Sequence, residues 1–221
     1  MVAAVLLTSA YVVGSETAPS PAEAASGTSA LRAGWESVAS ETPTPLDTQQ
    51  LDTLRAGGWY CPELESLGFT LRSAEGITVA GRPTLELVLE NGGETITVYE
   101  QRKVDDVGPA GTAGGAGGVG GPPVTAVTGE PVTASGFDHI GGTDRDVWVR
   151  SGEPWQVVLD SPSVTYTVVS TLPASDMPGT LSQLVTTEHA QLALAPQQAE
   201  DSMVERIIRG LSEMTHPETV R

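Results

Sequence analysis

The chain of 221 residues holds a single cysteine, Cys61, so an internal disulfide is excluded. A zinc site would need histidine partners for that thiol, and His139, His189 and His216 stand far apart in sequence. Cys61 reads as a small buried apolar residue. Basic residues are scarce, 11 against 28 acidic ones, and the formal net charge is −17. That balance excludes a nucleic-acid partner, whose phosphates must be met by Lys and Arg, and it disfavours docking on anionic lipid. Lysine occurs once, at Lys103, and asparagine once, at Asn91, while arginine, alanine and glycine are plentiful. Such usage marks a GC-rich coding sequence. Aromatics make up only 5%, too few for a core built on large rings.

Long apolar runs are also missing. The run that opens the chain, Val2 to Val13, falls short of the about 20 residues a membrane-spanning helix needs. No basic residue precedes it, as a secretory signal would require, since the first is Arg32. The expectation is that residues 1–14 are the remnant of a transmembrane or signal-anchor helix whose earlier part precedes Met1. Residues 15–45, rich in Ser, Ala and Pro, read as a flexible linker, with one short helix around Leu31, Trp35 and Val38. Residues 46–214 then form a single folded domain.

Within that domain, "LDTQQLDTLRAGG" has the marks of a helix: Asp47 as N-cap, Gln50 three residues on as in a capping box, Leu51 and Leu54 on one side, and Gly57-Gly58 at the end. The pattern then changes to period two. Three strand-like runs at 77–80, 84–90 and 94–101 are separated by Gly81-Arg82-Pro83 and Asn91-Gly92-Gly93. A Gly-rich loop at 107–123 has no Gly-Lys-Ser/Thr and no basic residue, so it is a linker and not a phosphate loop.

The meander is then written again. Leu87-Val88-Leu89 falls on Val157-Val158-Leu159 at an offset of 70, and Thr95, Thr97 and Val98 fall on Thr165, Thr167 and Val168. Upstream, Ile77 and Val79 fall on Val147 and Val149 at the same offset, and a Gly-x-Pro turn precedes the second strand in each copy. The fold expected is α+β: an antiparallel sheet of about six strands built from two similar three-stranded meanders, with helices packed on one face. At the end, "SDMPGTLSQLV" reads as a helix. A C-terminal amphipathic helix carries Met203, Ile207, Leu211 and Met214 at helical spacing and packs on a sheet face.

Motifs of known chemistry are absent: no Gly-x-Ser-x-Gly, no His-Glu-x-x-His, no Cys-x-x-Cys. No catalytic residue, cofactor or metal site is therefore assigned, and the chain reads as no enzyme. Two groups remain as candidates for binding. The aromatics Trp148, Trp155, Trp59 and Tyr60 sit beside turns and offer a possible binding surface. Asp138, His139, Asp144 and Asp146 make the densest polar cluster, whose plainer reading is a polar turn.

Two stretches, "LRAGGWYCPELESLGFTLRSAEGITVAGRPTLELVLENGGETITVYEQR" and "DVWVRSGEPWQVVLDSPSVTYTVVSTLP", resemble the outer domain of membrane-anchored anti-sigma factors from GC-rich Gram-positive bacteria. The resemblance covers about residues 50–185. It implies a non-enzymatic, extracytoplasmic regulatory or sensor domain, attached to the cell membrane by a single N-terminal helix and acting in transcription regulation. Its partners would be an envelope ligand or protein outside and a sigma factor inside. The latter is held by a cytoplasmic segment, sometimes with a His/Cys zinc cluster, that this chain does not carry. The alternative is a secreted or envelope-associated binding protein without a signalling role.

Overall fold

A computed structural model describes residues 21–39, 42–103, 121–140 and 145–194. The opening apolar run, most of the Gly-rich loop, Asp144 and the 202–214 helix lie outside them. The chain is α+β, with an eight-stranded antiparallel sheet and, among the described residues, three α-helices. In chain order these are α1 (Pro21–Val38), β1 (Thr44–Pro45), α2 (Thr48–Ala56), β2 (Thr70–Val79), β3 (Arg82–Asn91), β4 (Glu94–Arg102), β5 (Asp138–His139), β6 (Asp146–Arg150), β7 (Trp155–Asp160), β8 (Val164–Ser170) and α3 (Met177–Leu194). The sheet order is β1-β2-β3-β4-β8-β7-β6-β5. The six strands expected become eight because each half carries a two-residue strand at its outer edge, too short to give a period-two signal. Such brief edges leave little ladder for another chain to extend.

The two hairpins match residue for residue. Leu87 lies opposite Val98 and Val157 opposite Val168; Glu90 faces Thr95 as Asp160 faces Thr165. The halves join through β4 and β8, where Val98 pairs directly with Val168. Since those two residues are each other's counterparts at the offset of 70, a pseudo-twofold axis runs through that pair, perpendicular to the sheet. The first strands of the two meanders depart from the expected offset. Ala74 faces Leu87, but it is Val149 that faces Val157, so the offset there is 75 (149 less 74). The cause is the connection. Ala80-Gly81 turns tightly into β3 and Pro83 already pairs with Thr78, whereas Pro154 stays in the longer loop between β6 and β7. The two Gly-x-Pro triplets are therefore not equivalent turns.

Alternation along the strands fixes one buried inner face. Leu85, Leu87, Leu89, Ile96, Val98, Val157 and Val168 are fully buried there. Leu31 and Trp35 of α1, Leu51 and Leu54 of α2, and Trp59 pack over Ala74, Leu85 and Leu87. Leu184 of α3, with Met177 and Leu181, covers the seam and the second half. The α2 boundary follows its sequence signal: the Asp47 carboxylate accepts the Gln50 N–H and the Gln50 side chain accepts the Asp47 N–H, 2.9 Å each.

Helix α1 is longer than the short helix expected in the linker, and it belongs to the core. It approaches β2 closely at Gly76, where a Cβ would come within 2.7 Å of the Ala39 Cβ and 3.2 Å of the Trp35 ring. Gly76→Ala is expected to destabilise the domain by about 1–3 kcal/mol, as overpacking does. Urea unfolding checks it, and an unchanged midpoint would mean that α1 does not seat on β2.

The outer face is covered over its second half by residues 124–137. Val132 and Phe137 pack on Val158 beside Trp148, and the Ala126 N–H donates to the Thr167 hydroxyl at 3.0 Å. Among the described residues no helix is long and apolar enough to cross a membrane.

Candidate functional site

The four aromatics singled out from sequence do not form a surface. Trp59 is buried, stacked on Trp35 with centroids 4.9 Å apart, and its indole N–H donates to the Leu31 carbonyl at 3.3 Å. Trp155 is buried, with its N–H on the Leu172 carbonyl at 2.8 Å. Tyr60 is buried beneath the Arg102 guanidinium, 3.9 Å above its ring. These three hold the core together and present no ring to solvent. Only Trp148 is partly accessible, and it stacks on His139 at 4.3 Å.

The polar cluster lies at the β5–β6 edge. His139 Nε2 is 3.0 Å from Asp146 Oδ1, both side chains about half exposed, and Asp138 is exposed beside them. Asp144 lies outside the described residues. Among the described residues no three His, Cys, Asp or Glu side chains converge to hold a metal ion. What the edge offers is an imidazole lying on an indole, next to Ile140, whose side chain stands well out in solvent.

A more unusual arrangement lies inside. β4 points Ile96, Val98, Glu100 and Arg102 to the inner face. Glu100 is fully buried, and its two carboxylate oxygens accept the backbone N–H groups of Tyr60 and Cys61 at 2.8 Å each. This pins the 59–64 segment, in which Cys61 and Leu64 both adopt positive φ, 45° and 54°. Non-glycine residues hold that conformation only where their surroundings enforce it. The Cys61 thiol pKa is pushed far up, first by burial and then by the Glu100 charge. It therefore stays protonated and is not an activated nucleophile. A recess of about 370 Å³ opens over the segment, lined by Arg55, Cys61, Glu63, Ser66 and Gln183. The Arg55 guanidinium is already engaged by Glu63 and Asp52, so the recess carries no unmatched Arg55 charge. The sequence did hold a signal for Glu100: a carboxylate at an inward position of a strictly alternating strand.

The outer face over the first half has a different character. Glu75 and Glu86 are direct cross-strand neighbours, and Tyr99 lies opposite Glu86 on the next strand. Like charges placed so oppose the pairing. The Glu86 carboxyl titrates above the ordinary carboxylate range, because of partial burial first and the Glu75 charge second. The Tyr99 phenol is raised to about 12 by burial and by Glu86. Since the folded value of Glu86 exceeds the unfolded one, its ionisation lowers stability as pH rises through that value.

No protein-family model, curated protein or solved structure matches this chain.

Proposed function

We propose that the chain is the outer, non-enzymatic regulatory domain of a membrane-anchored anti-sigma factor, working on the extracytoplasmic side of a single N-terminal anchor formed around residues 1–14. The observation that carries the reading is the repeated meander within residues 50–185. The two stretches that resemble that family are the two halves of one sheet, matched through the second hairpin at an offset of 70. An internal duplication accounts for that register. A domain of this kind passes a signal by binding something outside with different affinity in two states, or by being released by proteolysis near its anchor. The exposed β5–β6 edge, with His139 on Trp148 beside Ile140, is the candidate contact for an envelope partner.

The test is topological and transcriptional. Alkaline phosphatase fused after Arg221 is expected to be active and cell-associated, while a green fluorescent protein fusion at the same point stays dark. Deleting the gene is expected to raise transcription from the promoters of one sigma factor. An exported but freely released fusion, with no transcriptional response to deletion, would replace this reading by that of a secreted or envelope-associated binding protein. A fluorescent fusion would remove both.

A further inference from the structure

The single asparagine of the chain, Asn91, is followed by glycine. Asn91 closes the β3–β4 hairpin. It pairs directly with Glu94, and the turn between them is Gly92-Gly93, both at positive φ, 58° and 96°. A tight two-residue turn of that kind is where glycine serves best. Asn91 is exposed, and a Cβ built on Gly92 would meet nothing within 4 Å, so the approach to the Gly92 nitrogen is uncrowded. The ladder steps over Gly92, and among the described residues its N–H makes no hydrogen bond. An exposed side-chain amide thus stands one residue before a free backbone nitrogen with no side chain beside it.

The Asn91 amide has one task in the fold. Its Nδ2 donates to the Leu67 carbonyl at 3.3 Å and lies over Gly68, where a Cβ would come within 3.1 Å of it. The contact ties the hairpin turn to the 65–68 turn that leads into β2. It is longer than the usual N–H···O range of about 2.7–3.2 Å, so it restrains the amide only weakly. Carboxylates stand around it. Glu94, directly opposite, accepts the Thr171 hydroxyl at 3.0 Å, and Glu90, one step back, is paired with Arg72 at 2.7 Å.

We propose that Asn91 is a site of self-modification, a slow deamidation that needs only water. The Gly92 nitrogen attacks the Asn91 Cγ and gives up its proton. The Cγ–Nδ2 bond breaks, and ammonia leaves with that proton as a cyclic imide closes. Water then adds to one of the two imide carbonyls and opens the ring. The product is an aspartyl residue, or an isoaspartyl one whose main chain is a methylene longer; nothing is oxidised or reduced. Either product carries a new negative charge and has lost both amide donors. An acceptor then faces the Leu67 carbonyl, and a carboxylate stands opposite Glu94, a pairing strands resist. The isoaspartyl form also lengthens the chain at the closing pair of the hairpin, where register is fixed by the turn. The 65–68 turn, which carries Glu65 and Ser66 into the wall of the recess, is thereby released from the hairpin.

The test incubates the folded full chain in heavy-oxygen water at mildly alkaline pH, beside an unstructured peptide of residues 88–95. Peptide mapping is expected to show heavy oxygen and isoaspartate at Asn91, formed no more than about tenfold more slowly than in the peptide, since one long hydrogen bond is all that restrains the amide. Asn91→Gln keeps the donor on an arm that does not readily close the ring, and should stay unmodified. Asn91→Asp, standing for one product, is expected to speed amide exchange at Leu67, Gly68 and Phe69 several-fold while β7 and β8 exchange as in the parent. A folded chain still intact when the peptide has fully reacted would overturn the site. So would a rate that climbs with urea in step with the unfolded fraction, since the reaction is then that of the unfolded chain. Unchanged exchange at 67–69 in Asn91→Asp would overturn the release of the turn.

Discussion

Glu100→Ala is expected to lower the stability of the domain by about 3–5 kcal/mol, because it strands two buried backbone donors and leaves a void where a carboxylate stood. The Tyr60 and Cys61 N–H groups each lie 2.8 Å from a Glu100 oxygen, in a place water does not reach. For a small domain whose whole stability is about 5–15 kcal/mol, this is a large fraction of the total. The melting temperature should fall by about 10 °C or more. Glu100→Gln keeps the shape but turns one acceptor into a donor facing another N–H, so it should cost about 2 kcal/mol. Calorimetry gives the sizes. Hydrogen exchange gives the location: the Tyr60 and Cys61 amides should speed up more than the amides of β4. A loss below about 1 kcal/mol for the alanine variant would mean that the 59–64 segment is held by something other than this carboxylate.

The second large effect belongs to Trp59. Trp59→Ala is expected to cost about 3–5 kcal/mol, as loss of a buried indole does. It removes the stack on Trp35 and the hydrogen bond to the Leu31 carbonyl, both contacts to α1. The consequence is local as well as global: α1 should come away from the sheet first. Limited proteolysis is expected to cut within residues 21–38 of the variant under conditions that leave the parent chain whole. Trp59→Phe keeps most of the packing and should cost about 1–2 kcal/mol, chiefly the hydrogen bond and the lost area. If α1 resists proteolysis in the alanine variant, the two tryptophans do not couple it to the sheet.

How much of this was readable beforehand depends on the range of the interaction. Local signals carried well. The Asp47–Gln50 capping box, the Gly57 stop and the Asn91-Gly92-Gly93 turn are each decided within a few residues, and each stands where the sequence puts it. The repeat at an offset of 70 carried through both hairpins because their turns have equal length. It failed at β2 and β6, where the connections hold two and four residues and the offset of the first strands shifts from 70 to 75. A short helix was legible around Leu31, Trp35 and Val38, but its length and its place in the core were not, because its composition is that of a linker; among its described side chains Leu31 and Trp35 are buried, with Val38 and the following Ala39 beside them, and what holds them is the distant Trp59 and Gly76. The aromatics misled for a related reason. Trp59 and Trp155 adjoin turns in sequence, but helices and the 171–172 segment close over them in space. Glu100 was visible as a charge in an inward register, yet its partners are some 40 residues away in sequence, and nothing local names them.

The seam between β4 and β8 has a consequence for the order of folding. Each hairpin beside it closes over a turn of a few residues, so β3-β4 and β7-β8 can form early and independently. The seam joins residues about 70 apart, and its central pair is Val98 with Val168. It is thus expected to act as an internal dimerisation step, with two half-sheets meeting as subunits would and the long intervening chain supplying their effective concentration.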